Sequence, residues 1–230
     1  MGAALAAAVG IGWVVMSDDE VYAVDYRTRP PSTADEVDAV ARQVADRADL
    51  VRLSGIDWRV LEVTSDRALL LADRVIGTGP YHGANVDVTW GRCDLRRWLN
   101  GAFLESLGEP LVSRVPQVTV RNGPNPIWGT DGGPDTTDRV FLLSMEEAAS
   151  YLAGKEPDWT TYRSGGSLWS EGLVARNEEN ETAWWWLRSP GYRPDNAARV
   201  SRGGDLYDRG DSVSASSAGV RPAFWLNLES

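Results

Sequence analysis

Residues 184–191 read WWWLRSPG and residues 219–228 read GVRPAFWLNL. Between them, Tyr192 to Ala218 is crowded with Ser, Asp, Arg, Gly, Asn and Tyr. Two aromatic, apolar blocks therefore bracket a polar segment of small residues. That arrangement suits a packed frame that presents an adaptable surface. The mixture of Tyr and Arg with Ser, Gly and Asn is also that of a binding paratope, with amphipathic anchors among hydrogen-bonding groups. Val200, Leu206, Val213 and Val220 recur every six or seven residues. The spacing predicts short strands or turns, each sending one apolar side chain inward. In a strand, Trp184 and Trp186 face one way and Trp185 the other. Core packing on both faces is the expected role of the triplet, and a ligand platform is the alternative.

Working outward, strands are expected over Ala197 to Ser201, Asp211 to Ser214 and Val220 to Leu226. Upstream, Ile56 to Thr64 and Arg67 to Asp73 read as two strands joined by a short turn at Ser65 and Asp66. Gln117 to Arg121 and Arg139 to Leu143 look like further strands. Three helices are expected. The first follows Pro30 and Pro31, with Thr33 and Glu36 at capping-box spacing and an apolar stripe of Val37, Val40, Ala41, Val44 and Ala48. The second spans Asp94 to Leu107, with Leu95, Trp98, Leu99 and Phe103 on one side and Gly101 weakening its middle. Ser144 and Glu147 open the third, which runs through Tyr151 and Leu152 and ends at Gly154. Residues 122–138 form a long turn-rich loop, and residues 154–182 are also polar and irregular. Long helices come early, and short strands and loops late. This order indicates an α+β domain with much irregular structure.

The composition excludes several functions. The chain has 230 residues and a net charge of −10. A general nucleic-acid binder needs a basic face, so none is expected. Arg193, Arg199, Arg202 and Arg209 lie close in sequence but alternate with Asp195, Asp205, Asp208 and Asp211, the pattern of a solvated face. Cys93 is the single cysteine; no intrachain disulfide can form, and the residue reads as a small buried hydrophobe. His82 is the single histidine. No recognised motif ties a nucleophile to it, and Ser189 in LRSPG lacks the G-x-S-x-G of a nucleophile elbow. Asp131, Asp135 and Asp138 offer oxygen ligands of the kind calcium prefers. Their spacing is not that of an EF-hand, so a solvated Asx-turn loop is the reading adopted. No cofactor is expected.

The blocks VTWGRCDLRRWLNGAFL (88–104), DRVFLLSMEEAASYL (138–152), WWWLRSPG and GVRPAFWLNL together resemble an uncharacterised bacterial domain family, over roughly residues 56–228. That family is similar at its C-terminus to C-type lectin folds of the formylglycine-generating-enzyme type. It also resembles the variable proteins of diversity-generating retroelements, in which adenine-directed mutagenesis diversifies a C-terminal segment. The resemblance implies short antiparallel strands, two or three helices and much irregular loop. It also implies that Tyr192, Arg193, Asp195, Asn196, Ser201, Arg202, Asp205, Tyr207, Asp208, Ser212, Ser214, Ser216 and Ser217 are the ligand-binding, diversified positions. Ala197, Ala198, Val200, Leu206, Val213 and Val220 would then be fixed scaffold. The active-site cysteines of formylglycine-generating enzymes and the calcium-dependent sugar motifs of animal lectins are missing, so neither property carries over.

The expected organisation is an apolar N-terminal segment at 1–20, a helix-containing lead-in at 21–55 and the lectin-like domain at 56–230. The expected function is non-enzymatic binding of a protein or other macromolecule through 192–217, with Tyr192, Tyr207 and Arg202 exposed on one face. A cell-surface, secreted or phage-associated location fits that role. Two alternatives stand. One is a hydrolase or transferase using the 122–138 loop and His82. The other is an assembly module whose residues 1–16 pack copies together as a homo-oligomer.

Overall fold

A computed structural model describes residues 12–17, 20–154, 156–163 and 168–229. The chain is an α+β fold with mostly antiparallel strands and few helices. One sheet has five strands in the order Leu50–Leu53, Ile56–Val63, Arg67–Ala72, Ala223–Asn227 and Val140–Phe141, all antiparallel. The other has seven, in the order Gly12–Ser17, Glu20–Tyr26, Gly77–Thr78, Gly219–Val220, Trp185–Pro190, Asn196–Val200 and Leu206–Ser212. Only the Trp185–Gly219 pairing in it is parallel. The final block feeds both sheets: Val220 lies in the larger and Phe224 in the smaller. One apolar core cluster draws on both sheets and on the helices.

Much of the expected local structure is present. Helix Ala34–Ala45 starts on a complete Thr33/Glu36 capping box and buries Val37, Val40, Ala41 and Val44. Helix Met145–Ala153 starts on the Ser144/Glu147 box and ends at Gly154 in the left-handed region. The expected helix over Asp94 to Leu107 is interrupted. Asp94–Trp98 passes into a π-turn at Leu99–Phe103, and Gly101 has φ −116° and ψ −107°, outside the helical range. The break keeps Leu95, Trp98, Leu99 and Phe103 all buried. The strand expected at Asp211 to Ser214 is instead Leu206–Ser212. Its Asp and Gly residues mask the signal, and pairing with Asn196–Val200 overrides them. The register slips between Ala197 and Arg199, where Gly210 sits at φ +69°. A side chain on Gly210 would bring Cβ within 2.0 Å of the Ala197 carbonyl oxygen.

The tryptophan triplet alternates as expected. Trp184 and Trp186 contact each other edge to face at 5.1 Å. Trp185 turns the other way, under the Arg221 guanidinium at 5.0 Å. Trp185 and Trp186 are fully buried, and each indole N–H donates, to the Leu173 and Gly79 carbonyls respectively. Arg221 is also fully buried, donating to the carbonyls of Ala72 and Asp73. Burial, with Arg59 nearby, pushes its pKa down to about 9.

Of the apolar N-terminal segment, residues 1–11 lie outside the described residues, whereas Gly12–Ser17 pairs with Glu20–Tyr26. Among the described residues no helix is long and apolar enough to cross a membrane.

Cys93 is buried and caps the Asp94–Trp98 helix, its Sγ accepting from the Arg96 N–H. Burial pushes its pKa from 9.0 up to about 12. The folded thiol therefore stays neutral while the unfolded thiol ionises. Its stabilising contribution is complete below pH 9 and is lost as pH climbs towards 12. We expect a disulfide reagent at pH 8 to modify Cys93 only as fast as the chain unfolds, and Cys93→Ala to flatten the alkaline loss of urea resistance. Rapid labelling of the native chain would contradict this.

Candidate functional site

The larger sheet ends in the hairpin that carries the paratope-like segment. Tyr192, Arg193, Arg202, Tyr207, Ser216 and Ser217 are exposed, whereas Asp195, Asn196, Ser201, Asp205, Asp208, Ser212 and Ser214 are half-buried. The interleaved Ala197, Ala198, Val200, Leu206, Val213 and Val220 are all buried. Of the thirteen, Asn196, Tyr207, Asp208 and Ser212 lie in strands, and the rest lie in the turns and loops around them.

The exposed residues fall into separate clusters. Tyr192 (40 % exposed) meets Trp128 (43 %) edge to face at 6.0 Å. The Arg209 guanidinium lies 5.0 Å from the Trp128 ring and 5.8 Å from that of Tyr192. Arg193 adds a second cation over Tyr192 at 5.9 Å and pairs with Asp195 at 2.8 Å. Tyr207 belongs to a second cluster. It is 38 % exposed, and the Arg199 guanidinium lies 4.4 Å from its ring and 5.2 Å from that of Trp184. Arg199 also pairs with Asp211 at 2.5 Å. Arg202 sits on the turn between the last two strands, where the Ser201 hydroxyl bonds the Asp205 carboxylate and backbone. Tyr192, Tyr207 and Arg202 are thus all exposed but are divided among three neighbourhoods. Cations stacked on aromatic rings are worth about 0.5–1 kcal/mol at exposed sites, enough to bias Arg199 and Arg209 towards these rings.

The 122–138 loop supplies the Trp128 anchor through Asn125. The Asn125 side chain is buried. Its amide donates to the carbonyls of Pro190 (2.8 Å) and Asp208 (2.9 Å). Its oxygen accepts from the N–H groups of Ile127 (2.9 Å) and Trp128 (3.1 Å). The Trp128 indole then donates to Asp208 Oδ2 at 2.5 Å. Tyr162 donates to both the Leu206 carbonyl and Asp208 Oδ1, and burial with the Asp208 charge raises its pKa. These bonds also occupy the outer edge of strand Leu206–Ser212, whose Leu206 N–H bonds Leu168. Strand addition is thereby blocked along that stretch, and recognition there passes through side chains. Reasoning from sequence missed Trp128, Asn125 and Tyr162. The one available signal was an aromatic residue inside a Gly/Pro-rich loop.

The acidic residues of the 122–138 loop divide. Asp131 accepts from Gly133 N–H as an Asx-turn, and Asp135 accepts from Asn122 N–H. Asp138 departs from the solvated reading: it is buried and binds Trp90, Arg96 and Thr136. Among the described residues no group of three or more His, Cys, Asp or Glu could hold a metal ion. His82 Nδ1 lies 2.7 Å from Asp94 Oδ2, close but not aligned for a hydrogen bond. Asp94 is otherwise engaged by Gly83 N–H and Arg97. His82 lines none of the clefts described below.

Residues 65–228 match the family described as Domain of unknown function (DUF6273), and the chain belongs to that family. No curated protein and no solved structure matches it.

Proposed function

We propose that this member of the DUF6273 family is a non-enzymatic binding protein of the diversity-generating-retroelement type, with a C-type-lectin-like scaffold that displays residues 192–217 to a protein ligand. One observation carries the reading. None of the thirteen candidate positions is buried, while the six apolar residues threaded between them all are. A surface of this kind can change its side chains without disturbing the core. The exposed Trp128, Tyr192 and Arg209 supply the residue types that dominate binding hot spots. They are held by hydrogen bonds and ring contacts before any ligand arrives, which keeps the ordering cost of binding low.

Deep sequencing of this locus in a growing population tests the reading. Substitutions should concentrate at the thirteen codons and spare Ala197, Ala198, Val200, Leu206, Val213 and Val220. Uniform sequence, or changes spread evenly along the chain, would sink it. The scaffold half of the idea has its own check. Alanine at Arg202, Ser216 or Ser217 should change stability by less than about 0.5 kcal/mol.

A further inference from the structure

A second cluster of arginines lies towards the opposite edge of the larger sheet. A cleft of about 300 Å³ is lined by Asp25, Arg27, Thr78, Asn177 and Glu179, among others. A second cleft of about 200 Å³ is lined by Arg29, Arg52, Asp57 and Arg74. Val75, Ile76 and Glu178 line both, so the two are one groove crossed by a bridge. The bridge is the Glu178 carboxylate. One oxygen is 2.9 Å from Arg27 Nη1, and the other bonds Arg29 Nη2. Glu178 sits in the turn of a hairpin whose paired strands are only Ala175–Arg176 and Thr182–Ala183. Arg74 Nη1 holds that turn through the Asn177 carbonyl at 2.9 Å. Arg52 is matched by Asp57 at 2.6 Å. Arg27 and Arg29 therefore share one carboxylate, with Arg74 bonded to the neighbouring Asn177 carbonyl, in a chain whose net charge is −10.

We propose that this groove binds a small phosphorylated molecule, whose phosphate takes the place that Glu178 now holds between Arg27 and Arg29. Guanidinium forks match phosphate oxygens bidentately, and a dianion satisfies two of them better than one carboxylate can. The Arg27 half of the existing bridge is easy to displace, because the Arg27 side chain is 57 % exposed and exposed ion pairs are weak; the Arg29 side chain, 11 % exposed, is the fixed half of the site. The acceptors Asp25, Asn177 and Glu179 along the larger cleft suit hydroxyl or amino groups on the rest of the ligand. The combined space is of the size small-ligand sites use. This site is independent of the 192–217 surface.

Calorimetry with inorganic phosphate at low ionic strength tests the assignment, with acetate as the carboxylate control. Glu178→Gln should bind phosphate at least about tenfold tighter than the native chain, since the internal competitor loses its charge. Adding Arg29→Gln should abolish that gain, and acetate should bind more weakly than phosphate throughout. The proposal is overturned if Glu178→Gln binds no tighter, if the double variant keeps the gain, or if acetate matches phosphate. A measurement that needs no variant follows the Arg27 and Arg29 side-chain Nε–H resonances of the native chain. Millimolar phosphate should shift them and acetate should not; unmoved resonances also overturn it.

Discussion

Replacing Arg188 by methionine should destabilise the chain by about 2–4 kcal/mol, because two backbone carbonyls lose a buried donor while Glu147, whose side chain is 33 % exposed, is left partly to solvent. At this chain length that lowers the melting temperature by roughly 10 °C. The Arg188 side chain is 3 % exposed. Its guanidinium grips both carboxylate oxygens of Glu147. It also donates to the carbonyl oxygens of Leu142 (2.8 Å) and Arg121 (3.1 Å). Glu147 in turn completes the capping box of helix Met145–Ala153, and the neighbouring Ser189 hydroxyl accepts from the Met145 N–H. The LRSP stretch is thus a clamp on a helix start. Methionine keeps the bulk but leaves two carbonyls without this donor and Glu147 with only the Ser144 N–H. Arg188→Lys should recover little, because an ammonium cannot make the fork. Thermal and urea unfolding measure both variants, and a loss below about 1 kcal/mol for methionine would contradict the clamp.

Asn125→Ala should cost about 2–4 kcal/mol, since each buried backbone group left without a partner costs on the order of 1–3 kcal/mol. Two carbonyls and two N–H groups lose their partner at once. The effect should be local as well as global. With the loop released from Pro190 and Asp208, Trp128 loses its fixed position beside Tyr192. Hydrogen exchange at the Ile127 and Trp128 amides should accelerate far more than exchange at Phe224, in an inner strand of the five-stranded sheet. Equal acceleration everywhere would mean that Asn125 supports the whole fold and has no special part in setting the surface.

These two residues mark where reading the chain from sequence succeeded and where it stopped. The polar and apolar positions of 192–217 separate correctly because side-chain polarity by itself decides which of them turn inward, in strand and turn alike. The strand edge itself was misplaced. LYDRGDS is full of turn-forming residues, and only its partner Asn196–Val200 makes it extended. In the candidate surface, Tyr192 and Tyr207 were legible as exposed anchors. Trp128 was not, because it reaches the site from a loop 64 residues earlier in the chain than Tyr192. Arg199 and Arg209 stood out only as charges. That they stack on rings depends on which aromatics the fold brings beside them.

The amino-acid order alone determined the α+β class, both capping boxes, the apolar helix stripes, the two-sided burial of the tryptophan triplet and the inward residues of the final segment. Each follows from contacts within a few residues, from a fixed period or from side-chain polarity itself. Tertiary structure alone decided the π-turn at Gly101, the bulge at Gly210 and the placing of Asn125, Arg188 and Arg221. Their partners are remote: Asn125 bonds a carbonyl 83 residues away and Arg221 one 149 residues away. No local pattern encodes such a pairing, because a buried polar side chain is specified by whichever unpaired backbone groups the packed sheets leave in its reach.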